Sequence, residues 1–166
     1  AILARDDPAA RESAARLRED ALKAGLEPGE VEVHAPGNDD YSPQIARAQK
    51  RAAEAWIAFG QARDAAEMVK SLRKLAYAPA LFVAQGAAEP AFLKLVGQDA
   101  EGALGILAYA PSLKTHDNAR FVEAYAKKWS AEPGLLAAQG YAAARVMEEA
   151  VRNAATLDTE KVREAL

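Results

Sequence analysis

Five short strand-like runs, four of them apolar (1–5, 55–59, 80–84 and 103–109) and one alternating (30–35), are interleaved with stretches whose apolar residues recur at helical spacing. A strand that is apolar at nearly every position has to be covered on both faces, and helices that return the chain to the same edge provide that cover. The alternation therefore predicts βαβ units on an open parallel sheet, an α/β, doubly wound fold with helices on both faces.

Local signals place the helices. In "AILARDDPAARESAARLREDALKAGLEP" the first strand runs into Asp7, a good N-cap. Pro8 follows at the first helical position, where its missing N–H costs nothing. Leu17, Ala21 and Leu22 share a face, and Gly25 supplies the positive φ that ends such a helix. "EVEVHAP" is a strand broken at Pro36-Gly37. "SPQIARAQKRAAE" predicts a short helix capped by Ser42 ahead of Pro43. "AWIAFG" is a buried strand, and "DAAEMVKSLRKL" a helix with Asp64 as cap, Glu67 three residues later, and Val69, Leu72 and Leu75 inward. "ALFVAQG", "EPAFLKLV" and the Gly-interrupted "GALGILAYA" complete the alternation.

After Pro111 strand patterning stops. "HDNARFVEAYAKKW" sets Phe121, Val122, Tyr125 and Trp129 on one stripe. The next helical stretch carries Tyr141, Ala144, Met147 and Val151, and "TLDTEKVREAL" offers Asp158 as a cap with Leu157 and Val162 as a hydrophobic staple. The division expected is an α/β domain over 1–110 and a helical segment over 111–166. The sequence opens inside an apolar strand and closes inside a helical pattern, so it reads as a piece of a larger protein.

Composition narrows the function. With 51% apolar residues the chain can bury a real core. Its 21 basic and 24 acidic residues are interspersed, with a net charge of −3 and no basic stripe, which argues against nucleic acid as a partner. Without cysteine there are no disulfides or thiolate metal sites, and no apolar run approaches about 18 residues.

Catalytic motifs find no foothold. The Asp6-Asp7 pair sits where response-regulator receiver domains hold magnesium, but the third strand ends Ala58-Phe59-Gly60 and the fifth Ala108-Tyr109-Ala110, without the Asp and Lys such a site needs. The pair reads as a solvated turn and a helix cap. His34 and His116 stand apart with no second ligand at metal spacing and read as surface or turn residues. Asp39-Asp40 and Glu148-Glu149 are adjacent pairs that point in different directions, not an acid and base. No nucleophile elbow, phosphate loop or dinucleotide fingerprint occurs. The chain is read as a binding protein without cofactor or metal.

In an open parallel sheet, ligands bind at the carboxyl ends of the strands. Here those loops are Asp6-Asp7-Pro8-Ala9, Gly60-Gln61-Ala62-Arg63 and Ala84-Gln85-Gly86-Ala87. The site candidates they supply are Ala9, Gln61, Ala62, Arg63, Gln85, Gly86 and Ala87, uncharged hydrogen-bonding chemistry apart from Arg63, suited to a small polar ligand.

The order of these units resembles the branched-chain amino-acid type of periplasmic solute-binding protein, the type I fold that serves ABC importers. "AILARDDPAARESAARLREDALKAGLEPGEVEVHAPGNDDYSPQIARAQ" resembles the opening of that family's second lobe. "FGQARDAAEMVKSLRKLAYAPALF" resembles its next unit, with Ala76 where the family usually has Gly. "LVGQDAEGALGILAYAP" resembles the strand leading to the hinge, and the run from Asn118 to Leu166 resembles helices of the first lobe. The resemblance implies a periplasmic protein that captures a small molecule between two lobes by hinge closure and presents it to a membrane permease; a sensor domain of the same fold is the alternative. It also implies ligand contacts from Leu136 and Ala137 in the first lobe.

In the amino-acid binders the second lobe supplies two aromatics and an acidic partner for the ligand's ammonium. The corresponding positions here are Ala9, Gln61-Ala62 and Gln85-Gly86, and all depart from that pattern. An ammonium without its carboxylate is costly to bury, which moves the expected ligand from a branched-chain amino acid toward an aromatic or aliphatic acid. Left in water, Phe121, Tyr125 and Trp129 would each forfeit roughly 2–3 kcal/mol of burial, so the chain alone is expected to self-associate.

Overall fold

The computed structural model describes residues 1–166, which divide into two units, Ala1–Leu107 and Ala108–Leu166. The first holds β1 (Ile2–Arg5), α1 (Pro8–Lys23), β2 (Val31–His34), α2 (Ser42–Lys50), β3 (Ala55–Phe59), α3 (Ala62–Lys74), β4 (Leu81–Ala84), α4 (Pro90–Val96) and β5 (Ala103–Gly105). Its five strands are all parallel, in the order β2-β1-β3-β4-β5. The second holds α5 (Asn118–Trp129), α6 (Leu135–Ala154) and α7 (Thr159–Glu164) and no strand.

Strand alternation sorts the core. Leu3, Trp56, Ala58, Phe82 and Ala84 face α2, α3 and α4, where Tyr41, Ile45, Met68, Leu72 and Phe92 close over them. Ile2 and Ala4 face α1 and pack with Ala10, Ala14 and Leu17. The α1 face thus runs Ala10, Ala14, Leu17; Leu22, a further 100° round the helix from Ala21, is exposed. Likewise Val69 and Leu72 of α3 are buried, while Leu75 lies past the last turn and is exposed.

Some caps stand where the sequence put them, and others do not. Asp7 accepts from the Ala10 N–H at 2.9 Å, and Asp158 accepts from the Lys161 N–H at 3.1 Å. Ser42 is not a cap: it is already the first residue of α2, Tyr41 precedes it, and Asp40 accepts its N–H at 2.9 Å. Asp64 is not the cap of α3 either. Gln61 holds that place, and Asp64 reaches back to accept the Gln61 N–H at 2.8 Å; Glu67 instead pairs with Lys70. Leu157 forms no staple with buried Val162, being 83% exposed.

Strand β5 stops at Gly105, short of 109. Ala84 and Gly105 are its last register pair with β4, and beyond Ala84 the neighbouring chain turns into a 3₁₀ segment, so Ile106 and Leu107 have no ladder to join. His34 is buried rather than a surface residue. Its ring meets Tyr41 edge-on, with the Tyr41 hydroxyl 3.2 Å from Nδ1. The aromatic stripe of α5 is only partly unpartnered: Phe121 is buried and stacked on Tyr141 at 4.5 Å, Tyr125 is half-buried, and Trp129 alone is exposed. Along α6, Tyr141 and Val151 are half-buried but Ala144 and Met147 are exposed.

Helices α1 and α3 end alike. In α1 the Leu26 N–H bonds to Ala21 and the Gly25 N–H to Leu22; in α3 the Tyr77 N–H bonds to Leu72 and the Ala76 N–H to Arg73. Both are Schellman ends, but α3 places Ala76, not glycine, at φ +50°. Because Cβ disfavours that conformation, Ala76→Gly should raise stability by about 0.5–1 kcal/mol. Urea denaturation checks this, and a loss would mean that the turn tolerates Ala76 without strain.

Burial, reinforced by the Asp64 charge, pushes the Tyr41 hydroxyl well above its ordinary value. A raised phenol favours the neutral folded form, so this contribution is complete below about pH 10, the unfolded tyrosine value, and is lost as pH rises toward the folded one. Tyr41→Phe should therefore flatten the alkaline fall in stability. Unchanged alkaline melting in that variant would assign the fall to Tyr77 or Tyr109, whose hydroxyls are also raised by burial.

Candidate functional site

The strand order reverses between β1 and β3, which leave the sheet toward opposite sides and open a crevice at their carboxyl ends. Arg5, the last residue of β1, occupies that point. Its Nη1 donates to Gln61 Oε1 at 2.9 Å and to Asp64 Oδ2 at 3.1 Å, while Nε lies 3.7 Å from Asp7 Oδ2. Asp64 is only 2% exposed and Arg5 20%. One guanidinium thus ties the β1–α1 loop to the start of α3.

Glycines let the loops close up. A Cβ on Gly86 would fall 2.2 Å from the Gln61 carbonyl group, so the β4 loop presses its backbone on the β3–α3 loop. A Cβ on Gly60 would meet Asp64 Oδ2 at 2.9 Å. A side chain at Gly86 would force the two loops apart, and one at Gly60 would displace the Asp64 carboxylate.

Of the residues proposed from sequence, Gln61, Ala62, Arg63, Gln85, Gly86 and Ala87 lie on these loops or the first turn of α3. Gln61, Arg63 and Gln85 are exposed, Ala62 and Gly86 are buried, and Ala87 is half-buried. Ala9 is an exposed second residue of α1. Within the second unit, Leu136 and Ala137 belong to the first turn of α6; Leu136 is 81% exposed and Ala137 half-buried. Sequence reading missed Arg5 and the true role of Asp64. The only signal was a basic residue ending an otherwise apolar strand.

The three carboxylates at the switch point are engaged. Asp6 accepts from Arg11 at 2.9 Å, Asp7 caps α1, and Asp64 holds the Gln61 N–H and Arg5. Arg63 makes no ion pair. A cavity of about 240 Å³ lies at the opposite end of the sheet, between Leu72, Tyr77, Phe82 and Ala103. It sits beside the C-terminal turn of α3 with Asp99 and Glu101 on its wall, away from the loops that define the crevice. No three His, Asp or Glu side chains are grouped to hold a metal, and no helix is long and apolar enough to cross a membrane.

An all-parallel lobe with its loop cluster at a switch point defines a ligand-binding α/β domain. Residues 1–166 match the periplasmic binding protein family, and the chain belongs to it. It is similar to a putative branched-chain amino acid ABC transporter from Rhodospirillum rubrum, at 26% identity and TM-score 0.84, covering 99% of this chain and 48% of that one. It is similar to the leucine-binding protein LivK from Thermotoga maritima, at 25% identity and TM-score 0.74, again covering 99% and 48%. A type 1 periplasmic binding protein from Bordetella pertussis, 23% identical over the same shares with TM-score 0.83, has the same fold. The chain spans about half the length of these structures.

Proposed function

We propose that this chain supplies one lobe, residues 1–110, and helices of the other, residues 111–166, of an extracytoplasmic binding protein that delivers a small molecule to an ABC permease. The ligand is held between two lobes that close about a hinge. Contacts come from Ala9, Gln61, Ala62, Arg63, Gln85, Gly86 and Ala87 on one side and from Leu136 and Ala137 on the other. Binding, not catalysis, is the role. What supports this most is the loop cluster of Arg5, Gln61 and Gly86 at the switch point of a lobe similar to a leucine-binding protein and to a putative branched-chain amino acid ABC transporter.

The ligand we favour is an aliphatic or aromatic acid over an α-amino acid, because the three carboxylates at the switch point, Asp6, Asp7 and Asp64, are already held by protein partners. Thermal-shift screening of the two-lobed protein tests this. Acids should raise the melting temperature, and a strong shift with leucine but none with acids would overturn the preference.

A further inference from the structure

We infer that Arg5 is a positioning residue for ligand choice: by holding Gln61 Oε1, it turns the Gln61 carboxamide so that this side chain offers the crevice hydrogen-bond donors only. Arginine has no acceptor, so the Gln61 atom 2.9 Å from Nη1 must be its carbonyl oxygen. The Nε2 amide then points away from Arg5, with both N–H groups available on an exposed side chain. The same Arg5 Nη1 is anchored on buried Asp64, which also grips the Gln61 N–H, so backbone and side chain of Gln61 are fixed from one point.

A donor pair beside Arg63, with Asp6, Asp7 and Asp64 already engaged, suits a carboxylate or carbonyl oxygen and repels an ammonium. This rests on the binding reading above and adds which end of the ligand faces these loops.

The test uses two matched pairs on the two-lobed protein: L-leucine with 4-methylpentanoate, and L-phenylalanine with 3-phenylpropanoate. Each pair differs only in the ammonium. Calorimetry should show the acid of a pair binding at least as tightly as its amino acid. Gln61→Glu keeps an acceptor for Arg5 but removes the donors, and should shift the ratio toward the amino acid by about tenfold or more at unchanged melting temperature. Arg5→Lys keeps a charge for Asp64 but cannot hold the amide in the same way, and should level the pair. A purely structural Arg5 would alter stability without altering the ratio. Ratios unchanged in both variants overturn the inference while leaving the binding reading intact. Binding of none of the four compounds overturns both.

Discussion

Arg5→Met is expected to cost about 3–5 kcal/mol at neutral pH, a large part of the stability of an ordinary domain. The partner left behind is the reason. Asp64 is 2% exposed, wedged beside Gly60, and receives one backbone N–H besides Arg5. Methionine fills much of the arginine stem but leaves a carboxylate that is 2% exposed without its cation. Adding Asp64→Asn removes the stranded charge yet keeps an oxygen to accept the Gln61 N–H, so the double variant should be more stable than Arg5→Met alone. That sign reversal separates a buried pair from a surface one, since exposed pairs contribute only about 0–1 kcal/mol. Urea denaturation of the three proteins measures it. If Arg5→Met cost under about 1 kcal/mol, the pair would be behaving as solvated.

Residues whose signals are local were the legible ones. The four apolar runs and the alternating run at 30–35 became five parallel strands because each carries its own pattern, and Asp7, Pro8, Gly25 and Asp158 do their work within four residues of themselves. The misplacements arise where a distant partner decides. Arg5 and Asp64 are 59 residues apart and meet only because β1 and β3 are neighbours in the sheet. His34 is buried because Tyr41 folds over the end of β2, which no spacing rule announces. Strand β5 ends where its only neighbour turns away, so its length was written in β4 rather than in its own apolar run. At the candidate site the loops follow from strand order, but the orientation of Gln61 is set by Arg5, 56 residues away in sequence.

The 166-residue chain on its own is expected to self-associate through α6. Leu136, Gly140, Ala143 and Met147 recur at the spacing of one helical face, and all four are exposed. The small residues in the middle let a second helix approach closely, with Leu136 and Met147 at the ends as anchors. Trp129, 60% exposed at the end of α5, adds apolar surface to the same unit. Phe121 is already buried against Tyr141, so the driving force is smaller than three bare aromatics would give. Burying what is still exposed of a leucine, a methionine and a tryptophan contributes roughly 1–2 kcal/mol each. Two copies double that sum, enough to offset the freedom lost on association. Sedimentation velocity at tens of micromolar should therefore show a dimer, weakened at least tenfold by Leu136→Ser with Met147→Ser. A clean monomer of the 166-residue chain, with Trp129 still accessible to a fluorescence quencher, would show the face to be stable in water without a partner.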